Sequence, residues 1–276
     1  MAQPARENLR AGDMVDLARY PLDALATEQG RAFVADCRRR YVRDGACLLP
    51  SFVRPAALGL MAAEANGIAG QAFFCEDSHT PYLAAADQDL DASHPRNRRQ
   101  ATRVGSVAYD RLPADGLIRR LYRWPPLKDF IAGVLAKERL FHFADQLGAC
   151  SVNVFKDGSQ HGWHFDESEF TITLMLQEPE RGGDFEYVAK IRGARDEYEQ
   201  VARALDGSNE NIRRLPFSPG ALLVFAGRDT LHRVTPVSGA RLRLVPVLCY
   251  SDRPDQVNSD QVRRLFWGRT GLEVAT

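Results

Sequence analysis

With 36 Lys and Arg set against 36 Asp and Glu, this chain of 276 residues has no net charge to draw it onto nucleic acid or an anionic membrane. Its 45% apolar and 26% charged residues describe a globule, long for an average domain but suited to one β-barrel domain with helical additions. No apolar run approaches membrane-spanning length, the N-terminus lacks a basic-then-apolar leader, and Cys37, Cys47, Cys75, Cys150 and Cys249 are scattered without CxxC spacing, which predicts free thiols in a reducing, cytoplasmic setting.

The first dozen residues are polar and expected to fray. From about Glu28 to Arg43, Phe33, Cys37 and Tyr41 recur every fourth residue, an amphipathic helix with Arg38, Arg39 and Arg40 towards water and Gly45 as its end. Ala46 to Phe52 reads as a short apolar strand, and Pro55 opens a second helix carried by Leu58, Met61, Ala65 and Ile68. From Ser78 to about Thr102 the chain turns polar and aperiodic; such long loops tend to cover sites, so this one is a candidate lid. A third helix follows Pro125-Pro126 through Leu127, Ile131, Val134 and Leu135.

From about Leu140 the period becomes that of strands. Ala149 to Phe155 alternates and ends at Lys156-Asp157-Gly158-Ser159; Phe170 to Gln177 is rich in Thr, Ile and Leu, and Asp184 to Val188 pairs back. Arg195 to Leu205 predicts an inserted helix, Ala221 to Phe225 and Leu231 to Val234 two strands, Leu242 to Tyr250 the last long strand, and Asp260 to Trp267 a closing helix. The pattern predicts one domain over 1–276, mainly β with flanking helices (α+β), on a double-stranded β-helix of jelly-roll, cupin-like form. Within it, 1–139 is expected to be mainly helical, 140–250 the jelly-roll core, and 251–276 a helical close.

Chemistry gathers at Gly162-Trp163-His164-Phe165-Asp166 and at Leu231-His232-Arg233-Val234. On extended backbone His164 and Asp166 point the same way, and His232 on a neighbouring strand completes two imidazoles and a carboxylate able to cap one face of Fe(II). Beyond His232, Pro236 and Ser238-Gly239 mark a turn that brings Arg241 and Arg243 back alongside it. Their matching parity lets either guanidinium hold a dicarboxylate end-on; spacing favours Arg241. A ligand gripped there and chelated through a keto acid at its other end is 2-oxoglutarate.

On these residues the chain resembles the Fe(II)/2-oxoglutarate-dependent oxygenases, and most nearly bacterial enzymes that hydroxylate or chlorinate free amino acids, including the lysine-chlorinating type. The likeness lies in His161-Gly-Trp-His-Phe-Asp-Glu-Ser-Glu-Phe, Leu176-Gln-Glu-Pro-Glu-Arg-Gly-Gly-Asp-Phe-Glu-Tyr and Thr230-Leu-His-Arg-Val-Thr-Pro-Val. It implies His164, Asp166 and His232 as ligands of Fe(II), with 2-oxoglutarate and O2 as cosubstrates and C–H hydroxylation as the reaction. Chlorinating relatives carry a small residue where Asp166 stands, so the resemblance points to hydroxyl rather than chloride transfer. Asn153 could donate to a 2-oxoglutarate oxygen or make a plain interstrand bond. Thr171 and Thr173 are read as β-formers.

For the substrate, Glu167 resembles the acidic group that pairs with an amine in amino-acid-acting relatives, or is a solvated turn residue. His161 could line the pocket or cap a turn, Arg103 could grip a substrate carboxylate or be solvated, and Trp267 could cover the pocket or simply pack. The expected partner is a small molecule, first a basic free amino acid such as lysine, with neither nucleic acid nor membrane; a homodimer is left open. Desaturation or ring closure, a peptide- or carrier-bound substrate, and a metal-binding cupin without turnover stay as alternatives.

Overall fold

In the computed structural model, which describes residues 9–272, alternate residues of the central strands face two different places, a layer of helices and a cavity. The strands are β1 (Ala46–Leu49), β2 (Phe73–His79), β3 (Gln100–Val107), β4 (Phe141–His142), β5 (Cys150–Phe155), β6 (Gln160–His164), β7 (Thr171–Leu174) and β8 (Arg181–Gly182). They continue as β9 (Phe185–Val188), β10 (Arg213–Leu215), β11 (Leu222–Phe225), β12 (Leu231–Val234), β13 (Val237–Ser238), β14 (Arg243–Leu248) and β15 (Tyr250–Ser251). The helices are α1 (Ala11–Met14), α2 (Glu28–Asp44), α3 (Pro55–Ile68), α4 (Leu117–Tyr122), α5 (Pro125–Leu135), α6 (Glu197–Leu205) and α7 (Asp260–Trp267).

One curled antiparallel sheet runs β1-β11-β7-β14-β5-β3-β6-β12-β9-β10, with β2 on the other edge of β3. β5 and β6 are two lengths of one line, broken by the loop 156–159. β3 pairs with both: Gly105, Ser106 and Val107 lie opposite Val154, Asn153 and Val152, and Thr102 and Arg103 opposite His161 and Gln160.

The helices α2, α3 and α5 cover one face of this sheet. Cys37, Met61, Leu127 and Phe130 bury themselves against Ile172, Leu174, Leu222, Val224, Leu244 and Leu248 in one cluster. Each such side chain contributes roughly 1.5–3 kcal/mol relative to exposure, so this layer anchors one face of the curled sheet while the other face lines the cavity. The helix α2 starts at Thr27, whose hydroxyl accepts from Gly30 N at 3.1 Å, and ends at Gly45 with φ of 69°. The short α4 follows from a buried carboxylate: Glu64 accepts from Leu117 N at 2.7 Å and Ile118 N at 3.2 Å. Six residues with that cap so far away in sequence gave no helical signal.

Several expectations need correcting. β2 and β3 belong to a stretch expected to be helical or looped, and the polar run assigned to a loop over 78–102 is strand at both ends. Solvent-exposed Glu76 and Asp77, on opposite faces of β2, and the Arg103 that pairs with Glu76 disguised the alternation. The remaining loop, 80–99, is stitched by buried Asn97, whose Nδ2 donates to the carbonyls of Asp87 and Leu90 at 2.9 and 3.0 Å. Its Leu83 reaches the cavity. The expectation of fraying for residues 1–8 lies outside the described residues, as does the chain beyond 272; α1, by contrast, is ordered against the core through Met14. Among the described residues no helix is long and apolar enough to cross a membrane. The five cysteines are free thiols, four of them buried.

Candidate metal and cosubstrate site

Antiparallel pairing of β6 with β12 sets His232 directly opposite His164, with a bulge immediately after. Asp166 follows two residues on, where the strand has ended and Asp166 N donates to Gly227 O at 3.0 Å. Nδ1 of His164 lies 2.8 Å from Gly162 O, and Nδ1 of His232 lies 2.9 Å from Thr230 O. A carbonyl only accepts, so each Nδ1 carries the proton and each Nε2 presents a free lone pair. Both Nε2 atoms lie 3.5 Å from Asp166 Oδ1.

These donors lie within 4.8 Å of one another. Two neutral nitrogens and one carboxylate oxygen, turned inward with their other atoms already bonded, fit a single Fe(II) as a facial triad. Burial alone would raise the Asp166 carboxyl, yet positive charge beside it, on the His232 and His164 rings when they are protonated, holds it well below the usual carboxylate range. Burial, and then His232, pushes His164 down, so both properties keep the set ready for a cation.

The outer oxygen of Asp166 has its own socket. Thr171 Oγ1 donates to Oδ2 at 2.5 Å, and Gly227 packs so closely that a Cβ there would collide with that oxygen and stand 2.8 Å from Thr171 Oγ1. Neither residue stood out in the sequence, Thr171 because it passes for a strand former and Gly227 because nothing local marks it.

The two arginines separate cleanly. Arg243 is 2% exposed, lies over the Phe155 ring at 4.9 Å, and lines the cavity with an Nε that meets no hydrogen-bond partner. Burial lowers its pKa to about 10, which leaves the charge intact at neutral pH. A buried guanidinium with an orphaned donor is the fitting place for a carboxylate end. Arg241 does not face inward: β14 begins only at Arg243, and from the bend before it the Arg241 guanidinium donates to the carbonyls of Glu178 and Pro179, each at 2.9 Å. The preference for Arg241 is thereby corrected, because strand parity does not extend into a bend. Asn153 lines the cavity on the adjacent β5, opposite Val245 and Ser106.

Of the substrate candidates, His161, Glu167 and Trp267 reach the cavity and Arg103 does not. His161 stacks on His164 with ring centroids 3.7 Å apart, and its buried Nε2 has no partner. Trp267 Nε1 donates to Ser106 Oγ at 3.1 Å. Glu167 stands at the exposed rim, where Ser259, the N-cap of α7, donates to its Oε1 at 2.6 Å. Arg103 points the other way from its neighbour Thr102 and pairs with Glu76 across β2 at 2.8 Å, outside the cavity. Sequence reasoning passed over Asp145, which is buried and accepts from Leu147 N, Asn258 N, Asn258 Nδ2 and Arg263 Nε at 2.9–3.1 Å. It pins α7 over the site, and with α7 come Val262 and Phe266.

Comparison with known proteins agrees with this geometry. Among solved structures the fold is similar to the carbocyclase SnoK from nogalamycin biosynthesis (15% identity, TM-score 0.55, covering 87% of this chain and 93% of that one). It is likewise similar to the epimerase SnoN in complex with Fe3+, alpha ketoglutarate and nogalamycin RO (17%, TM-score 0.54, 80% and 84%). A third is a 2OG-Fe(II) oxygenase family protein from Burkholderia pseudomallei (16%, TM-score 0.50, 80% and 92%). The curled sheet thus shares the jelly-roll fold of these structures, and its His–Asp–His set is a donor group that could hold a metal ion. The sequence pattern of the Halogenase D family matches residues 29–264, and the chain belongs to that family. Comparison with curated proteins gives no match.

Proposed function

We propose that this protein is an Fe(II)- and 2-oxoglutarate-dependent dioxygenase that hydroxylates an aliphatic C–H bond of a small amine-bearing metabolite, first of all a free amino acid. His164, Asp166 and His232 would hold the iron, Arg243 the distal carboxylate of 2-oxoglutarate, and Asn153 would offer its amide to the cosubstrate. Bound Fe(II) with 2-oxoglutarate and O2 supplies an oxidant able to cleave an unactivated C–H bond, with succinate and CO2 as co-products. The chain's own part is positional. Phe266, Trp267 and Leu83 close the cavity against water, and Thr171 fixes the carboxylate of Asp166. Glu167 at the rim offers negative charge to an ammonium group.

Asp166 is the observation that carries hydroxylation over halogen transfer: its Oδ1, 3.5 Å from both imidazole nitrogens, fills the place a halide would need. The test is an anaerobic titration with iron and 2-oxoglutarate, followed by an aerobic panel of amino acids and amines in excess chloride. A charge-transfer band and hydroxylated products without chlorinated ones are expected. A dominant chlorinated product, or no band at all, overturns the reading.

A further inference from the structure

Few charged groups face the cavity: Arg243 at one end, Asp166 at the metal position, and Glu167 at the rim. Beside the metal position the wall is mostly hydrocarbon, broken by the uncharged side chains of Ser151, Asn153 and Thr173. Val247 pairs with Thr173 on β7, and Cys249 lies further along towards Thr171, whose hydroxyl holds Asp166. From the other side Phe266 meets the His161 ring edge-on at 5.6 Å, and His161 in turn lies on His164. Trp267 gives its donor to Ser106 and shows the cavity only its ring. An ammonium group carried to this depth would shed its water and find no carboxylate other than the metal ligand.

The rim differs. Glu167, Ser168 and Asn258 line both the cavity and a smaller hollow next to it, and that hollow also holds Arg228. Arg228 Nε and Nη2 donate to the Glu167 carbonyl at 3.2 and 3.0 Å, so a guanidinium and a carboxylate stand at one edge. The Glu167 side chain is fixed there by Ser259. A zwitterion could set its ammonium at Glu167 and its carboxylate at Arg228 with both charges still near water, where neither costs much to place.

We infer that the substrate is an α-amino acid with an uncharged aliphatic side chain, its head held at the rim by Glu167 and Arg228 and its hydrocarbon laid against Val247, Cys249, Val262 and Phe266. This rests on the proposed function and narrows it, replacing the basic side chain expected from the sequence. Norleucine and lysine differ only by the terminal ammonium, and pentylamine is norleucine without its carboxylate, so the three separate head from tail.

The protein loaded with Fe(II) and 2-oxoglutarate, kept anaerobic, is titrated with each. Norleucine binds at least about 100-fold more tightly than lysine, an effect sized for an unpaired charge out of water. The same order appears in kcat/KM for O2-dependent succinate formation. Arg228→Gln weakens norleucine about tenfold while pentylamine stays within about twofold of its wild-type affinity, as expected for one lost charge-assisted hydrogen bond. Val247→Asp moves the norleucine-to-lysine ratio towards lysine by at least about tenfold. Lysine binding as tightly as norleucine in the wild-type protein overturns the inference whether or not the variants fold, as does an Arg228→Gln variant that leaves norleucine untouched. Absence of the charge-transfer band would instead remove the proposed function itself.

Discussion

Thr171 and Asp166 stand five residues apart in the chain, and their side chains meet at 2.5 Å, hydroxyl to carboxylate, on the side of Asp166 turned away from the two imidazoles. Only one carboxylate oxygen is therefore free to face a metal. Thr171→Val should lower iron affinity by about 10- to 100-fold, the usual range for losing a group that orients a ligand. Thr171→Ser should restore most of it. Anaerobic titration with 2-oxoglutarate present reads the affinity directly, and an unchanged Thr171→Val midpoint would remove Thr171 from this role.

Gly227→Ala should act on the same oxygen by a different route. The added methyl occupies the space of Asp166 Oδ2, so the carboxylate must swing away while the surrounding sheet stays folded. Circular dichroism close to wild type with the charge-transfer band lost is the expected pair of results. A normal band would show that the backbone yields there instead.

Arg243→Gln is expected to raise the 2-oxoglutarate KM by about 100-fold or more, the scale for removing one partner of a desolvated charge pair. Arg241→Gln, which loses only carbonyl contacts in an exposed bend, should change it by no more than about twofold. The reverse ranking would return the anchor to Arg241.

Acid should weaken the metal-free protein through His79. Its Nδ1 donates to Thr80 O at 3.0 Å, and its Nε2 accepts from Thr102 Oγ1 at 2.6 Å, which itself accepts from Gly162 N at 3.2 Å. Burial, and then His164, holds the His79 pKa down at about 4 against an ordinary 6.5. The unfolded chain thus binds the proton first. Stability from neutral His79 is complete above about pH 6.5 and is lost as pH falls towards 4, about 2 kcal/mol of it by pH 5. Urea midpoints at pH 8, 6 and 5 measure the slope, and His79→Gln should flatten it. A wild-type midpoint constant from pH 8 to 5 would contradict this.

Two members of the metal triad were legible from strand pairing, since His164 ends β6 and His232 stands opposite it in β12; Asp166 was placed by its spacing from His164, although it lies past the end of the strand. The same rule failed for Arg241, which precedes its strand, and for β2 and β3, whose exposed polar residues read as loop. Thr171, Gly227 and Arg228 act through tertiary approach alone, and no local pattern distinguishes them from a strand former, a turn and a solvated base. The two readings of Arg103 stayed open for a related reason: its parity opposes that of Thr102, and only the register of β3 on β6 tells which of the two looks inward.

The unbroken run of β3 past the loop 156–159 gives the molecule a ruler. One piece of backbone pairs both with the strand beside Arg243 and with the strand that carries His164, so it measures off the separation of the two ends of the cavity. A residue inserted into β3 would turn Thr102 outward and put the two ends out of step, whereas the same insertion in the neighbouring loop would leave the interval as it is. Length variation among relatives should therefore collect in that loop and spare the strand that spans it.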